Sequence, residues 1–169
     1  MVEEEGTKNE ILTVERPCTC PIGSCKCCCF QSANVSFQGE HLGDVTEVFY
    51  FCVPRFVISD SNMKPMYKLH QPTCCNGGCV DCCAEGNPCG KGCCKVPFHI
   101  YPHSQADTEG KAPYIGKILR KRRDWTSELF TDADAFELDA PEGCTNADKA
   151  VLIGTTLFIN ANFFEGGQE

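Results

Sequence analysis

Cysteine is the residue type in this chain with the widest range of possible chemistry, and 16 of the 169 residues are cysteine. Six lie within residues 18–29, eight lie within 74–94, and only Cys52 and Cys144 stand apart. The N-terminal residues 1–8 are acidic and have no apolar core, so they do not form a secretory signal peptide. In the reducing cytosol thiols rarely form lasting disulfides. We therefore interpret the thiols as metal ligands, acylation sites or small buried side chains, and a disulfide framework stays open only for a chain exported without a signal.

The first cluster contains adjacent thiols that suit acylation: Cys25, Cys27, Cys28 and Cys29. One acyl chain anchors a protein weakly, whereas two or more anchor it stably. The alternatives are a small cysteine-rich turn and a metal site. The spacings in this cluster, such as Cys18-x-Cys20, lack the usual gap of two to four residues between zinc ligands.

The second cluster does have the spacing of metal ligands. Two residues separate Cys79 from Cys82 and three separate Cys89 from Cys93, with glycine and proline between the pairs. Four thiolates can hold zinc tetrahedrally, although these two pairs are closer together than in common zinc modules. The alternatives are a loop whose cysteines bind no metal and further acylation.

A basic run follows in the second half of the chain, at Lys117, Arg120, Lys121, Arg122 and Arg123. It could attract anionic lipid headgroups, at about 1 kcal/mol per charge near the surface. It could instead be a nuclear import patch, or charge that protects an exposed strand edge. The formal net charge of −8 argues against nucleic acid as a partner. Four scattered histidines and no recognisable nucleophile or phosphate loop argue against a conventional enzyme.

About eight short stretches rich in β-branched and aromatic residues predict strands separated by turns. They are 11–16, 35–38, 45–51, 55–59, 66–70, 95–101, 114–119 and 135–139. The C-terminal segment 146–165 predicts a helix, with Asn146 as the cap candidate and Asp148 in the first turn. This mostly β chain with one terminal helix predicts a sheet wrapped around that helix.

The helix is apolar nearly all round from Ala150 to Ile159, so it is buried either in protein or in lipid. From Ala150 to Phe164 it spans about 22 Å, against about 30 Å of hydrocarbon in a bilayer. We therefore expect a core element, packed on the strands through four side chains: Val151, Leu152, Phe158 and Ile159.

Several segments in register resemble the phospholipid scramblases. They are Phe130–Phe136, Asp148–Glu165, Glu10–Pro17, Leu42–Val45 and Pro54–Asp60. The resemblance implies a tubby-like antiparallel β-barrel that encloses the C-terminal helix, of which this chain resembles about the second half. The implied organisation is an acidic tail (1–8), a scramblase-like domain (9–165) incomplete at its N-terminal side, with cysteine-rich loops 18–29 and 74–94, and a short tail (166–169).

The resemblance also implies calcium-stimulated, ATP-independent, bidirectional movement of phospholipids at the cytoplasmic face of the plasma membrane. Cys25 to Cys29 resemble the palmitoylation segment of that family, and without acylation we expect a nuclear location. The expected partners are the phospholipid bilayer, anionic lipids and a second copy of the chain bound through open strand edges. The alternative is an acylated, membrane-tethered interaction module that binds zinc and does not translocate lipid.

By the same resemblance, calcium would bind the segment Asp132–Gly143. Asp132 and Asp134 match the first two acidic ligands of the family. The remaining candidates are Phe136 and Leu138, through their carbonyl groups, Asp139 and Glu142. The last position of the loop is Gly143, which offers no carboxylate. We therefore expect weak binding, at about 10⁻⁴–10⁻³ M. The alternative is an acidic turn that leads into the helix.

Overall fold

The computed structural model describes residues 12–17, 30–50, 53–74, 79–81, 95–104, 113–121 and 135–163. This part of the chain forms ten strands and one helix. The strands are β1 (Thr13–Glu15), β2 (Ser32–Phe37), β3 (Glu40–Val48), β4 (Arg55–Asp60), β5 (Pro65–His70), β6 (Thr73–Cys74), β7 (Cys79–Val80), β8 (Lys95–Pro102), β9 (Gly116–Lys121) and β10 (Ala135–Asp139), and the helix is α1 (Asn146–Phe163).

Eight strands form one sheet in the order β1-β2-β3-β4-β5-β8-β9-β10, and β6 pairs with β7 in a separate hairpin. Neighbouring strands are antiparallel throughout, so each strand can follow its neighbour through a connection at one end. The tight turn between β2 and β3 has positive φ at Gln38 (50°) and Gly39 (84°). Positive φ at both central residues is the backbone of a type I′ hairpin turn, whose twist matches that of the strands.

Helix α1 packs on one face of this sheet, which we call the concave face. It contacts β1, β2, β3 and β4 at one side and β10 at the other, so the sheet curls around the helix as a half-barrel. The buried core joins apolar side chains of both layers: Val35, Val45, Phe56, Ile58, Leu69, Phe98, Ile100 and Ile118 from the sheet and Val151, Leu152, Phe158 and Ile159 from the helix. The predicted half-barrel packed around the terminal helix is confirmed.

The helix approaches β2 closely at Gly154. A Cβ atom on this residue would lie 2.6 Å from Cγ2 of Val35, closer than side-chain atoms pack. The absence of a side chain at position 154 therefore lets the helix axis come near the sheet, and it is one reason why the helix sits inside the curl.

The helix begins with a capping box, which is centred one residue earlier than expected. The backbone N–H of Asp148 donates to Oγ1 of Thr145 (3.2 Å), and the N–H of Thr145 donates to Oδ2 of Asp148 (2.9 Å). Thr145 is thus the N-cap, and the prediction of Asn146 was wrong by one position. A threonine hydroxyl paired with an acidic side chain three residues later satisfies two backbone donors reciprocally, which the single amide of Asn146 would not.

Candidate functional site

Most of the segments with predicted chemistry leave the sheet at one end. Because the strands alternate in direction, the connections β1–β2, β3–β4, β5–β8 and β9–β10 all lie at this end, which we call the cysteine end. Its boundary residues are the last of β1, β3, β5 and β9 and the first of β2, β4, β8 and β10: Glu15, Val48, His70, Lys121, Ser32, Arg55, Lys95 and Ala135. Both cysteine clusters and Cys52 belong to these connections, and Cys144 alone belongs to the opposite end.

The helix C-terminus lies at the same end of the molecule. Nη1 of Arg16, just after β1, donates to Oδ1 of Asn162 (2.8 Å). The ring of Phe163 packs edge-on against that of Phe56 on β4, with 5.9 Å between the centroids. The end of the helix and one end of each of the eight strands of the sheet therefore lie at the same end of the molecule.

A buried carboxylate interacts with both the β1–β2 and the β3–β4 connections at the cysteine end. Glu47 is only 2% exposed, and its Oε2 accepts a hydrogen bond from the backbone N–H of Gln31 (3.1 Å). The N–H of Glu47 in turn donates to the carbonyl of Gln31 (2.7 Å). Burial, followed by the charge of Glu47 and a hydrogen bond to it, raises the pKa of Tyr50 to about 12. This arrangement joins the residue before β2 to the end of β3.

The four predicted acylation sites, Cys25, Cys27, Cys28 and Cys29, lie outside the described residues. The strands on either side of them are described: β1 ends at Glu15 and β2 begins at Ser32, both at the cysteine end. The prediction of acylation is not tested by the described residues and stays a prediction.

Of the predicted zinc ligands, Cys79 lies on β7 and the other three, Cys82, Cys89 and Cys93, lie outside the described residues. The hairpin β6–β7 pairs the backbone of Cys79 with that of Cys74. The thiol of Cys74 is 3.8 Å from the carbonyl of Val80. No cluster of three potential metal ligands occurs among the residues that the structure describes. Zinc binding stays a prediction.

The basic run does not form one surface. Lys117 and Arg120 are both on β9, where Lys117 pairs with His99 and Arg120 pairs with Val96 on β8. Since side chains alternate along a strand, an odd separation of three residues puts the two on opposite faces. Arg120 follows the core residue Ile118 on the concave face, and Lys117 is on the outer, convex face. Lys121 closes β9 at the cysteine end, and Arg122 and Arg123 lie outside the described residues.

The predicted calcium loop is interrupted by a strand. Residues 135–139 form β10, which pairs with β9, and the side chains of Phe136 and Leu138 pack against the core. An extended strand places Asp139 about 13 Å from Ala135, with Ala135 at the cysteine end and Asp139 and Glu142 toward the other. The strand thus lies within the predicted segment Asp132–Gly143, and calcium binding by this segment stays a prediction. Asp132 and Asp134 lie outside the described residues, and calcium binding by them stays a prediction.

Comparison with known sequences shows the family of this chain. The sequence model named Scramblase matches residues 4–85 and 86–166, which is nearly the whole chain. The chain belongs to the scramblase family.

The curated relatives are each about 30% identical to this chain and about twice as long. Phospholipid scramblase 1 of Homo sapiens is 30% identical over 162 residues, which cover 95% of this chain and 45% of that protein. Phospholipid scramblase 2 of Homo sapiens is 28% identical, over 92% of this chain and 46% of that protein. Phospholipid scramblase family member 5 of Homo sapiens is 28% identical, over 95% of this chain and 52% of that protein. This scramblase-family chain thus spans about half the length of the curated relatives it matches. No solved structure matches it.

The terminal helix of this scramblase-family chain is buried on the sheet side. Val151, Leu152, Phe158 and Ile159 are each at most 1% exposed. The hydroxyls of two further buried residues, Thr155 and Thr156, donate to the carbonyls of Val151 (2.8 Å) and Leu152 (2.9 Å). These hydrogen bonds satisfy the polar groups within the helix itself. Among the described residues, no helix combines the length and apolar character needed to cross a bilayer.

Sequence reasoning missed a set of basic side chains on the convex face. Arg55, His70, His99 and Lys117 are successive register partners across β4, β5, β8 and β9. They are far apart in sequence, so no local spacing of residues predicts that they come together. The available signal was the alternation of polar and apolar residues along a strand. His99, for example, lies between the core residues Phe98 and Ile100 and therefore points to the opposite face.

Proposed function

We propose that this chain acts as a phospholipid scramblase that moves phospholipids in both directions between bilayer leaflets, stimulated by calcium and independent of ATP. The observation that carries the proposal is the family match over nearly the whole chain. The relatives named phospholipid scramblase support the lipid substrate class. In this proposal the protein lowers the barrier for taking a polar headgroup through hydrocarbon, and it performs no covalent chemistry.

The cysteine end supports a specific orientation at the cytoplasmic face of the plasma membrane. Acyl chains on Cys25, Cys27, Cys28 and Cys29 would leave the protein where β1 ends and β2 begins. Several acyl chains in one segment make attachment stable, whereas one chain does not. The cysteine end would therefore face the bilayer and its anionic lipids, with calcium bound by Asp132 and Asp134 at the same end. Without acylation the protein would be found in the nucleus.

Reconstitution into vesicles tests the activity. Labelled phospholipid should exchange between leaflets faster with the full chain than in empty vesicles, without ATP and more rapidly with calcium. The variant Asp132→Ala/Asp134→Ala, attached to the same extent, is the matched control for the calcium effect. Exchange at the rate of empty vesicles, with the protein shown to be attached, would refute translocation.

A second candidate is a tethered interaction module that binds zinc through Cys79, Cys82, Cys89 and Cys93. The pairing of β6 with β7 supports it, because it places the backbone of Cys79, the first of these four residues, beside that of Cys74. Metal analysis of purified protein separates the two candidates. One equivalent of zinc, lost in Cys82→Ser/Cys89→Ser, together with no leaflet exchange, supports the module.

A further inference from the structure

Helix α1 exposes apolar side chains on the side that faces away from the sheet. Ile153 is 48% exposed and Leu157 is 42% exposed, although the residues between them and on either side of them are buried. Because the two are four residues apart, they are neighbours on the helix surface. A helix that packs through one face ordinarily presents polar side chains on the other face. We call this exposed pair the outer stripe of α1.

The outer stripe lies at the opening of the half-barrel. Helix α1 contacts both β1 and β10, which are the two outermost strands of the eight-stranded sheet. Both rims of the opening are apolar, since Leu12 and Val14 on one side and Leu138 and Ala140 on the other are partly buried against the core. A partner that approaches through the opening therefore meets apolar side chains in the middle and at both rims.

The two ends of the outer stripe differ in charge. Lys149 is exposed and lies four residues before Ile153, in the same row of side chains on the helix. The last turn of α1 contains no basic residue, and the C-terminus of a helix carries the negative end of its dipole. The stripe is thus positive near its start and negative near its end. Such a surface is complementary to a second copy of itself turned end over end.

Helix geometry brings these opposite charges together. A twofold axis that passes the stripe near Thr155 places Ile153 against Leu157 of the second copy. Lys149 is then about 9 Å from the axis and Phe163 about 12 Å, at 1.5 Å per residue. Because helical side chains lean toward the N-terminus, the ammonium group extends farther from the axis, toward the last turn of the second helix. In a parallel pair the two Lys149 side chains would meet and repel each other.

The other charged groups at the two ends of the helix are engaged away from the stripe. Oδ2 of Asp148 accepts a hydrogen bond from the backbone N–H of Thr145. The guanidinium of Arg16 donates to Oδ1 of Asn162 at the C-terminal end. Asn162 lies about 140° around the helix from Leu157, at 3.6 residues per turn. Arg16 is therefore bound on a different side of the helix from the outer stripe.

We propose that two copies of this chain form a dimer in which their α1 helices pack antiparallel through Ile153 and Leu157. A twofold interface uses the same surface on both copies, so each contact occurs twice. Rows of side chains four residues apart can pack into the grooves of the second helix, with the axes about 8–10 Å apart. The stripe is smaller than the interfaces of permanent dimers, so the dimer is reversible. The pairing goes beyond the proposed function and does not depend on it.

Sedimentation equilibrium of the full chain, with a reducing agent present to prevent disulfide-linked dimers, tests the pairing. We expect a monomer–dimer equilibrium whose dissociation constant rises at least 30-fold in Ile153→Gln/Leu157→Gln, because four apolar contacts are lost. The matched control Phe49→Gln/Met63→Gln removes two exposed apolar side chains that are not on α1. It should leave the dissociation constant unchanged.

Charge variants test the antiparallel direction. Lys149→Glu should weaken the dimer about tenfold without lowering the thermal midpoint of the monomer, because an acidic side chain near a helix N-terminus interacts favourably with the dipole. Ala161→Glu should tighten the dimer about fivefold, since it faces Lys149 of the second copy. In the Lys149→Gln background Ala161→Glu should not tighten it. Any contact of the new carboxylate with Arg16 is present in both backgrounds and cancels from the comparison.

Several results would overturn the proposal. They are a chain that sediments as a monomer up to millimolar concentration, equal losses in Ile153→Gln/Leu157→Gln and its control, or a dimer that Ala161→Glu weakens. Circular dichroism of each variant checks folding, and Lys149→Glu replaces the double glutamine variant if that one unfolds. If the chain is monomeric and brominated lipid quenches the fluorescence of Trp125→Phe/Leu157→Trp on vesicles, the stripe contacts lipid and the dimer is refuted.

Discussion

Glu47 shows how one side chain can organise several parts of the cysteine end. Its carboxylate is buried, accepts from the backbone of Gln31 and interacts with the hydroxyl of Tyr50. Because burial and the negative charge both disfavour the phenolate, the pKa of Tyr50 rises from 10.0 to about 12. A tyrosine whose pKa is higher in the folded than in the unfolded state stabilises the fold below pH 10. That contribution disappears as the pH rises through 10 to 12.

Glu47→Gln should therefore lower the pKa of Tyr50 toward its ordinary value while burial keeps it above 10. The tyrosinate absorbance titration of wild type and variant measures the shift, and Tyr50→Phe identifies the signal among the four tyrosines. The loss of stability between pH 10 and 12 should be smaller in Glu47→Gln. A Tyr50 titration that is identical in both proteins would show that Glu47 does not act on Tyr50.

Gly154 is the second residue whose chemistry has a clear structural consequence, since it permits the contact between the helix and Val35. Gly154→Ala should destabilise the fold, because overpacking of about 1–3 kcal/mol outweighs the gain of about 1 kcal/mol in helix propensity.

The matched background is Val35→Ala, which removes the two methyl groups nearest to the new Cβ. In that background Gly154→Ala should stabilise, by about 1 kcal/mol. Urea unfolding of the four proteins measures both changes. A change in the free energy of unfolding that has the same sign in both backgrounds would contradict the steric explanation.

At the scale of elements, the start of α1 shows how a cap fixes the position of a helix. Thr145 and Asp148 exchange hydrogen bonds across the first turn, and Asn146 is already the first helical residue. Thr145→Ala should cost about 1 kcal/mol of stability, since it removes the acceptor of an otherwise unsatisfied N–H. Asn146→Ala is the control and should change stability by at most about 0.5 kcal/mol. Thermal unfolding compares the two, and an equal effect would argue against Thr145 as the cap.

Strand β10 has the larger functional consequence, because it separates the two halves of the predicted calcium segment. If calcium binds this segment, its ligands come from one side of the strand only. Terbium luminescence and titration calorimetry should show weak binding, at about 10⁻⁴–10⁻³ M.

We expect this calcium binding to be lost in Asp132→Ala/Asp134→Ala and retained in Asp139→Ala/Glu142→Ala. The reverse pattern would place the cation at the opposite end of the sheet, and a loss in both variants would restore a site that includes both halves.

At the scale of the whole molecule, strand direction gathers the segments with predicted chemistry at one end. The segment of the proposed acyl chains and the second cysteine cluster both connect strands at this end. In the proposed function, attachment and lipid movement would then take place on a single surface of the molecule.

Changing Cys25, Cys27, Cys28 and Cys29 together to alanine should shift the protein from the membrane fraction to the soluble or nuclear fraction, because stable anchoring needs more than one acyl chain. Cys144→Ala, at the opposite end of the fold, should leave the distribution unchanged. Fractionation and an acyl-exchange assay measure both variants. Unchanged membrane partition of the fourfold variant would show that acylation of this segment does not attach the protein.

The sequence by itself determined the local elements and the family. Stretches rich in β-branched and aromatic residues marked β4, β8 and β10, and an apolar segment after Asn146 marked the helix, because these patterns depend only on residues near one another in sequence. The spacing of the thiols fixed which cysteines are candidates for acylation or zinc. The short hairpin β6–β7 was not predicted, since two-residue strands within a cysteine cluster carry no periodicity.

Only the tertiary structure decided which of these segments meet. Register across β9 put Lys117 and Arg120 on opposite faces, and pairing of β10 with β9 placed a strand within the predicted calcium segment. The row from Arg55 to Lys117 unites residues 62 positions apart in sequence. Such contacts depend on the order, direction and register in which distant strands pair, and no local pattern of residues encodes that order.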